Sequence, residues 1–311
     1  VFSEHVIALL APGQGSQSPG MLTPWLELDG ARERLAQWSE TTGLDLLRLG
    51  TTASADEIKD TSVTQPLVVA LSLLAFEELA RRVEVPTDVP VAGHSVGELA
   101  AAAVSGVLTA DEAVELAAVR GAEMAAACAL EPTGMSAVLG GDEDEVLTRL
   151  AELGLDPANR NAKGQVVAAG SVAMLEKLTA EPPAATRIRS LAVAGAFHTR
   201  FMAPAEEALG KRVTTITPAA PVRPLLSNAE GAVVSDGEDA LRRLVAQVTL
   251  PVRWDACMAT LAERGVTAVI ELPPAGTLVN LVKRELPHVD RLPLKSPADL
   301  DKAAELIVGA A

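Results

Sequence analysis

The chain has 311 residues, room for one large α/β domain with an insertion or about two domains, and its 49% hydrophobic share with 2% aromatics and no tyrosine means a core of Ala, Val and Leu. A formal net charge of −15 argues against sequence-independent binding to nucleic acid or to an anionic membrane surface, both of which need clustered Lys and Arg. Cys128 and Cys257 lie far apart with no C-x-x-C, which suggests neither a disulfide framework nor a zinc ribbon and points to a reducing, cytoplasmic setting, and no leader-like or long uninterrupted apolar segment suggests export or a membrane span.

In chain order, the apolar run 6–11 predicts a strand that ends in Pro12-Gly13-Gln14-Gly15-Ser16-Gln17. Ser18 stands where a dinucleotide fingerprint needs its third glycine, and no Lys follows as in a P-loop. The loop therefore reads as a plain turn or as one whose backbone amides face a site. Segments 29–43 and 65–83 read as helices, the second opening on Thr64-Gln65-Pro66 as cap and first turn. Next, a strand run at 89–92 hands over to an alanine-rich helical run at 99–104, with Gly93-His94-Ser95-Val96-Gly97 between them. This is the context of a nucleophile elbow. Glycines two residues either side of Ser95 allow the tight turn, and the following helix would aim its first free amides beside the serine.

Segment 109–130 reads as one long helix, apolar almost all round and hence buried, so Arg120 stands out. A guanidinium there is costly without an anionic partner. It forms either a surface pair with Glu123 or a clamp for a substrate carboxylate. From 135 the elements shorten: strands at 135–139, 165–169 and 186–194 and helices at 143–153 and 174–179 resemble a small unit of ferredoxin type, read as a subdomain over 130–196 inserted in a parallel-sheet domain made of 1–129 and 197–311. Strands at 222–226 and 267–272 and helices at 237–248, 254–264 and 276–286 complete the main domain.

An activated serine needs a base. His94 adjoins Ser95 and points away from it, so it supports the elbow; His5 lies near the start of the chain, and His288 sits in a polar, proline-flanked turn. His198, in a loop after a strand, is the remaining candidate. No pair of histidines has metal-ligand spacing.

Taken together, Pro12 to Gln17, Thr64-Gln65-Pro66, Gly93 to Glu98, Arg120-Gly121 with Met124, Asn161 with Gln165, Phe197-His198-Thr199, Leu226-Ser227-Asn228 and Gln247 with Pro251-Val252-Arg253-Trp254 occur in one order along nearly the whole chain. In these pieces the chain resembles the malonyl-CoA:acyl carrier protein transacylases of fatty acid and polyketide synthesis. The resemblance implies an α/β-hydrolase-like parallel sheet with an inserted ferredoxin-like subdomain. It also implies Ser95 as the nucleophile that carries malonyl as an ester, His198 as the base, and the backbone amides of Gln14 and Val96 as an oxyanion hole. A backbone carbonyl at or beside Gln247 would orient the histidine, with no triad carboxylate. Arg120 would pair with the malonyl carboxylate, with Gln65, Asn161 and Met124 around the substrate. Phe197 resembles the malonyl-selective members, in which the ring fills the space a further methyl would need. The chain departs from the commonest family pattern at Lys163 and at Leu272-Pro273-Pro274-Ala275.

The implied partners are malonyl-CoA, a substrate and not a cofactor, and a phosphopantetheine-bearing acyl carrier protein, served by a monomer without metal. Carrier proteins of this kind are acidic, as this chain is, so docking would need a local basic patch. Arg187 with Arg189 and Lys283 with Arg284 are the candidates, each more readily read as an ordinary solvated face. A serine hydrolase shares the elbow and is the competing reading, opposed by Arg120 and by the lack of a lipase-type H-G-G-G loop. A non-catalytic carrier-docking module is opposed by the presence of both Ser95 and His198.

Overall fold

Short apolar runs alternating with long alanine-rich helices build a six-stranded sheet whose centre is the fully buried strand Ile7–Ala11. A computed structural model describes residues 6–309. Across the sheet the order is Asp290–Pro293, Ala268–Glu271, Ile7–Ala11, Val91–Gly93, Leu225–Leu226 and Val233–Val234. All neighbours are parallel except the last pair, which closes the edge as an antiparallel hairpin. Ile7, Leu9 and Ala11 face one apolar cluster while Ala8 and Leu10 face another, as a parallel sheet covered on both faces requires. Trp25 and Trp38 anchor the first cluster and Trp254 the second, all fully buried.

The elbow forms where the strand Val91–Gly93 meets the helix Gly97–Val104, at the carboxyl ends of the strands, where open α/β sheets place their ligands. Two glycines make that crossing possible. A Cβ on Gly93 would collide with the carbonyl of Gly97, and one on Gly97 with the carbonyl of Ala11, so the helix sits directly on the strand ends. Between them Ser95 adopts φ +54°, a left-handed backbone that is unfavourable for a residue with a side chain.

The second sheet has the order Thr186–Ser190, Thr133–Gly140, Gln165–Ser171, Asp156–Ala162 and Val252–Arg253. Its first four strands are antiparallel and, with the helices Glu143–Glu152 and Val172–Ala180 on one face, make the ferredoxin-like unit. One of these strands, Asp156–Ala162, has no counterpart among the expected elements, since its proline and asparagines carry no strand signal. The fifth strand comes from the main unit and pairs in parallel with it, Asn159 opposite Val252 and Arg160 opposite Arg253. The last ferredoxin strand ends at Ser190, short of the expected 194.

Helix boundaries differ most at the long core helix, Thr61–Arg82. Its cap is Asp60, whose carboxylate accepts from the Ser62 N–H, so the expected cap at Thr64 is wrong and Pro66 lies inside the helix. This helix is long and apolar enough to cross a membrane, but most of it is buried in the core. It packs against the helix Ala110–Cys128, which begins at a capping box between Thr109 and Glu112. The helix Thr277–Glu285 is held at its start by the buried carboxylate of Glu271, which accepts N–H bonds from Gly276, Leu278 and Val279.

The glycine crossing gives a direct test. Gly97→Ala should lower the urea midpoint with an unchanged m-value, by the roughly 1–3 kcal/mol of an overpacked core or more, because the obstructing atoms are backbone. A midpoint equal to that of the unaltered chain would show that the helix and strand are not held in this contact.

Candidate active site

Ser95 Oγ lies 2.8 Å from His198 Nε2, and His198 Nδ1 lies 2.8 Å from the backbone carbonyl of Gln247. A carbonyl only accepts, so Nδ1 carries the proton and Nε2 is left free to accept from the serine hydroxyl. The orienting group is thus the main chain, as the resemblance implied. The Gln247 side chain donates to the carbonyls of Leu250 and Pro251, which fixes the turn presenting its own carbonyl. His198 itself sits at φ +60° in the loop that leaves the small subdomain.

Arg120 reaches the same hydroxyl from the other side: its Nη2 is 3.3 Å from Ser95 Oγ, and its Nη1 donates to Gln65 Oε1 at 2.8 Å. It is buried and makes no ion pair with Glu123, so of the two alternatives read from the sequence the surface pair is excluded. Its partners are neutral oxygens. Burial accordingly pulls its pKa down to about 10, against a partial rise from the charge of Glu98. His198 is pushed down to about 3, first by burial and then by the nearby Arg120 charge, which the Gln247 carbonyl only partly offsets.

Gln65 is the hub of this region. Besides accepting from Arg120, its Nε2 faces Gln14 Oε1 at 3.4 Å and Met124 Sδ at 3.5 Å, and Gln14 Nε2 donates in turn to Thr61 Oγ1 at 3.1 Å. Met124, expected at the substrate, instead lies buried behind Gln65 and does not reach the cavity wall. Gly121, next to the arginine, lets the two helices approach, since a Cβ there would meet the Thr61 carbonyl at 2.6 Å. Neither Gln14 nor Val96 gives its backbone N–H to an acceptor among the described residues. Both amides therefore lack a partner among the described residues.

Ser95, His198, Gln14 and Gln65 open on a cavity of about 190 Å³ between the two sheets, whereas Arg120, like Met124, is not among its lining residues and meets it through Ser95 Oγ and Gln65. Gln14, Gln65, His94, Ser95 and His198 form its floor, Asn159, Asn161, Gln165 and Val167 come from the small sheet, and Phe197 with Met135, Leu191 and Val193 makes an apolar wall. Leu278 and Leu281 of the helix begun at Glu271 close another side. His94 supports the elbow as expected and also spans the cleft, its Nε2 donating to Asn161 Oδ1 at 2.8 Å. Of the other histidines, His288 is exposed and is not among the cavity's lining residues, and His5 lies outside the described residues.

Several site residues were not assigned from sequence. Asn159 stands on the strand without a sequence assignment, and Met135, Leu191 and Val193 carry no chemical signal beyond being apolar. Asn228 was noticed only as part of a motif, yet its side-chain carbonyl accepts the Ser95 N–H at 2.8 Å and its amide donates to the Gly93 carbonyl at 2.7 Å. No metal-binding group of His, Cys, Asp and Glu occurs among the described residues.

Comparison with known proteins places this geometry. The acyl transferase domain model matches residues 9–304. The malonyl CoA-acyl carrier protein transacylase of Mycobacterium bovis is 61% identical over 302 residues, covering 97% of this chain and 100% of the relative. A crystal structure of MCAT from Mycobacterium tuberculosis, 60% identical, superposes with a TM-score of 0.93 over 96% of this chain and 100% of that one. The malonyl-transacylase PlMCAT, solved in complex with AntF, a type II PKS acyl-carrier protein, is 29% identical with a TM-score of 0.90 over 96% of this chain and 99% of that one. An α/β sheet carrying a ferredoxin-like subdomain, a serine–histidine pair oriented by a main-chain carbonyl and a buried arginine at the serine thus occur together in a chain that belongs to the malonyl-CoA:acyl carrier protein transacylases.

Proposed function

We propose that this chain moves a malonyl group from coenzyme A to the phosphopantetheine thiol of an acyl carrier protein by way of a malonyl ester on Ser95. The observation that carries the reading is the convergence of His198 Nε2 and Arg120 Nη2 on one serine oxygen, at 2.8 and 3.3 Å. A hydrolase needs the first contact but has no use for the second.

In the first half-reaction His198 takes the Ser95 proton as Oγ bonds to the thioester carbon. The free amides of Val96 and Gln14 receive the oxyanion, and collapse breaks the carbon–sulfur bond, with the imidazolium returning its proton to the departing thiolate. In the second half the carrier thiol gives its proton to His198, attacks the ester, and Ser95 Oγ leaves with that proton. Arg120 holds the free carboxylate, supported by Gln65, and the apolar wall at Phe197 faces the malonyl methylene, where it leaves little room for a branch. Carboxylate binding also compensates the charge that depresses His198, so the base is strengthened when the correct acyl group is in place. The serine, the histidine and the arginine converge within a single chain, so a monomer suffices for this chemistry. Arg187 and Arg189 on the exposed edge strand and Lys283 and Arg284 on the Thr277–Glu285 helix remain the candidate carrier-docking groups, Arg284 being tied to the Lys163 carbonyl at 2.8 Å. Free Cys128 and Cys257 support work in the reducing cytosol.

Intact-mass measurement after malonyl-CoA should show one added malonyl group, lost on addition of holo carrier protein, and none on Ser95→Ala. Full transfer by Ser95→Ala would sink the ester mechanism. Arg120→Ala should erase the preference for malonyl over acetyl thioesters, a loss of about 2–5 kcal/mol in relative kcat/KM for a truncated buried charge contact; a preserved preference would remove the clamp.

The pH profile follows from the sign of the His198 shift. The base works when neutral, so kcat/KM should hold as pH falls through the ordinary histidine range and drop only toward about 3, as far as the fold survives. Arg120→Gln removes a charge that lowers this pKa, so its acid limb should move to higher pH. An acid limb at the same pH in both proteins would mean the arginine does not act on the base.

A further inference from the structure

Two residues of the recurrent motifs have no part in the chemistry above, although they lie beside it: Glu98 in the first turn of the elbow helix and Asn228 after the strand Leu225–Leu226. Both are buried, Asn228 completely. Asn228 Oδ1 accepts the Ser95 N–H at 2.8 Å, and its Nδ2 donates to the Gly93 carbonyl at 2.7 Å. Its own backbone N–H donates to Glu98 Oε1 at 2.7 Å, and its carbonyl accepts from the Arg253 N–H at 2.8 Å.

From this closed set of bonds we infer that Glu98 and Asn228 form a brace that holds the Ser95 backbone in its left-handed conformation, so that Oγ meets His198 while the Val96 N–H stays free for the oxyanion. They are positioning residues, and the inference rests on Ser95 being the acylated nucleophile. A sharp turn takes the Gly93 carbonyl and the Ser95 N–H out of regular pairing, and an unpaired buried backbone group is costly. Satisfying one acceptor and one donor with a single side chain needs a carboxamide; Asp lacks the donor and Ser lacks the span. By taking the Ser95 N–H, Asn228 also leaves the next amide, that of Val96, as the free one.

Glu98 fixes the asparagine from the other side. Its carboxyl is pushed up to about 8, chiefly by burial, against the pull of the Asn228 N–H and of the Arg120 and Arg243 charges. Near neutral pH it is therefore largely a protonated acid whose carbonyl oxygen accepts, which a glutamine would imitate and a leucine of similar size would not. The bonds stabilise a strained backbone at the nucleophile, and strain of this kind persists only where surrounding contacts over-determine it.

Single-turnover acylation by radiolabelled malonyl-CoA, measured across donor concentration, tests the brace. Asn228→Ala should slow acylation at saturating donor about 100-fold, the scale of a lost oxyanion donor, with half-saturation changed less than about twofold. Glu98→Leu should slow it at least about 10-fold, and Glu98→Gln should recover it to within about threefold, at comparable melting temperatures for the two Glu98 variants. If Asn228→Ala does not fold, the Leu and Gln variants at 98 decide the matter alone. Rates for Asn228→Ala and Glu98→Leu within about threefold of the unaltered chain, or losses that appear as weaker donor binding, would overturn the brace. Failure of the unaltered chain to take up label on Ser95 would instead overturn the ester mechanism, which separates the two results.

Discussion

A guanidinium buried among neutral oxygens sets the character of this site. Arg120 rests on Gln65 Oε1 and Ser95 Oγ, so the groups in contact with its charge are neutral dipoles. Such an arrangement is tolerable because the two acceptors are fixed by the packing of the helices Thr61–Arg82 and Ala110–Cys128, which Gly121 allows to approach closely. It leaves the site under-compensated, and an anionic acyl group is the species that gains most by entering. The same charge lowers the pKa of the neighbouring imidazole, so one side chain acts both on the anion proposed to bind and on the base proposed to take the serine proton.

The serine needs a different kind of support. Its backbone lies in a region that L-residues avoid, and the crossing of the elbow helix over the first strand works only without Cβ atoms at Gly93 and Gly97. Gly93 and Gly97 remove the obstruction, and hydrogen bonds from Asn228 supply the restoring force. His198, whose backbone is left-handed as well at φ +60°, has its ring held by the turn from Gln247 to Pro251 through one carbonyl. A neutral orienting group suits a base that already sits beside a cation, since its pull on the imidazole is modest.

Much of this was legible in the sequence because it is local. The elbow announces itself by a strand run, two glycines and a helical run within a few residues, and the Arg120 anomaly by a cation in an otherwise apolar helix. What was not legible depends on distant partners. Asp156–Ala162 became a strand through pairing with Gln165–Ser171, although Pro157 and its asparagines favour turns in isolation. Asp290–Pro293, polar and ending in proline, forms a sheet edge, where such a composition is tolerated, and has no strand assignment from sequence. Asn228 lies in a stretch with every local mark of a turn, and only the approach of the elbow gives its two amide atoms their acceptor and donor. The cap at Thr64 was misplaced because Pro66 resembles a first-turn proline while the capping carboxylate, Asp60, lies farther upstream.

The pairing of Asn159 with Val252 and Arg160 with Arg253 ties together parts of the molecule that the chain order keeps far apart. Val252 follows directly on the turn that carries the Gln247 carbonyl, and the Arg253 N–H is bonded to the Asn228 carbonyl, while Asn159 and Asn161 stand on the cavity wall. The roof of the cavity, the anchor of the base and the support of the nucleophile are therefore clamped to one short ladder rung. A swing of the small sheet as a rigid lid would shear that ladder and disturb the serine–histidine distance at once. With that ladder intact, room for incoming and departing thiols would have to come from side chains at the rim such as Leu191 and Val193.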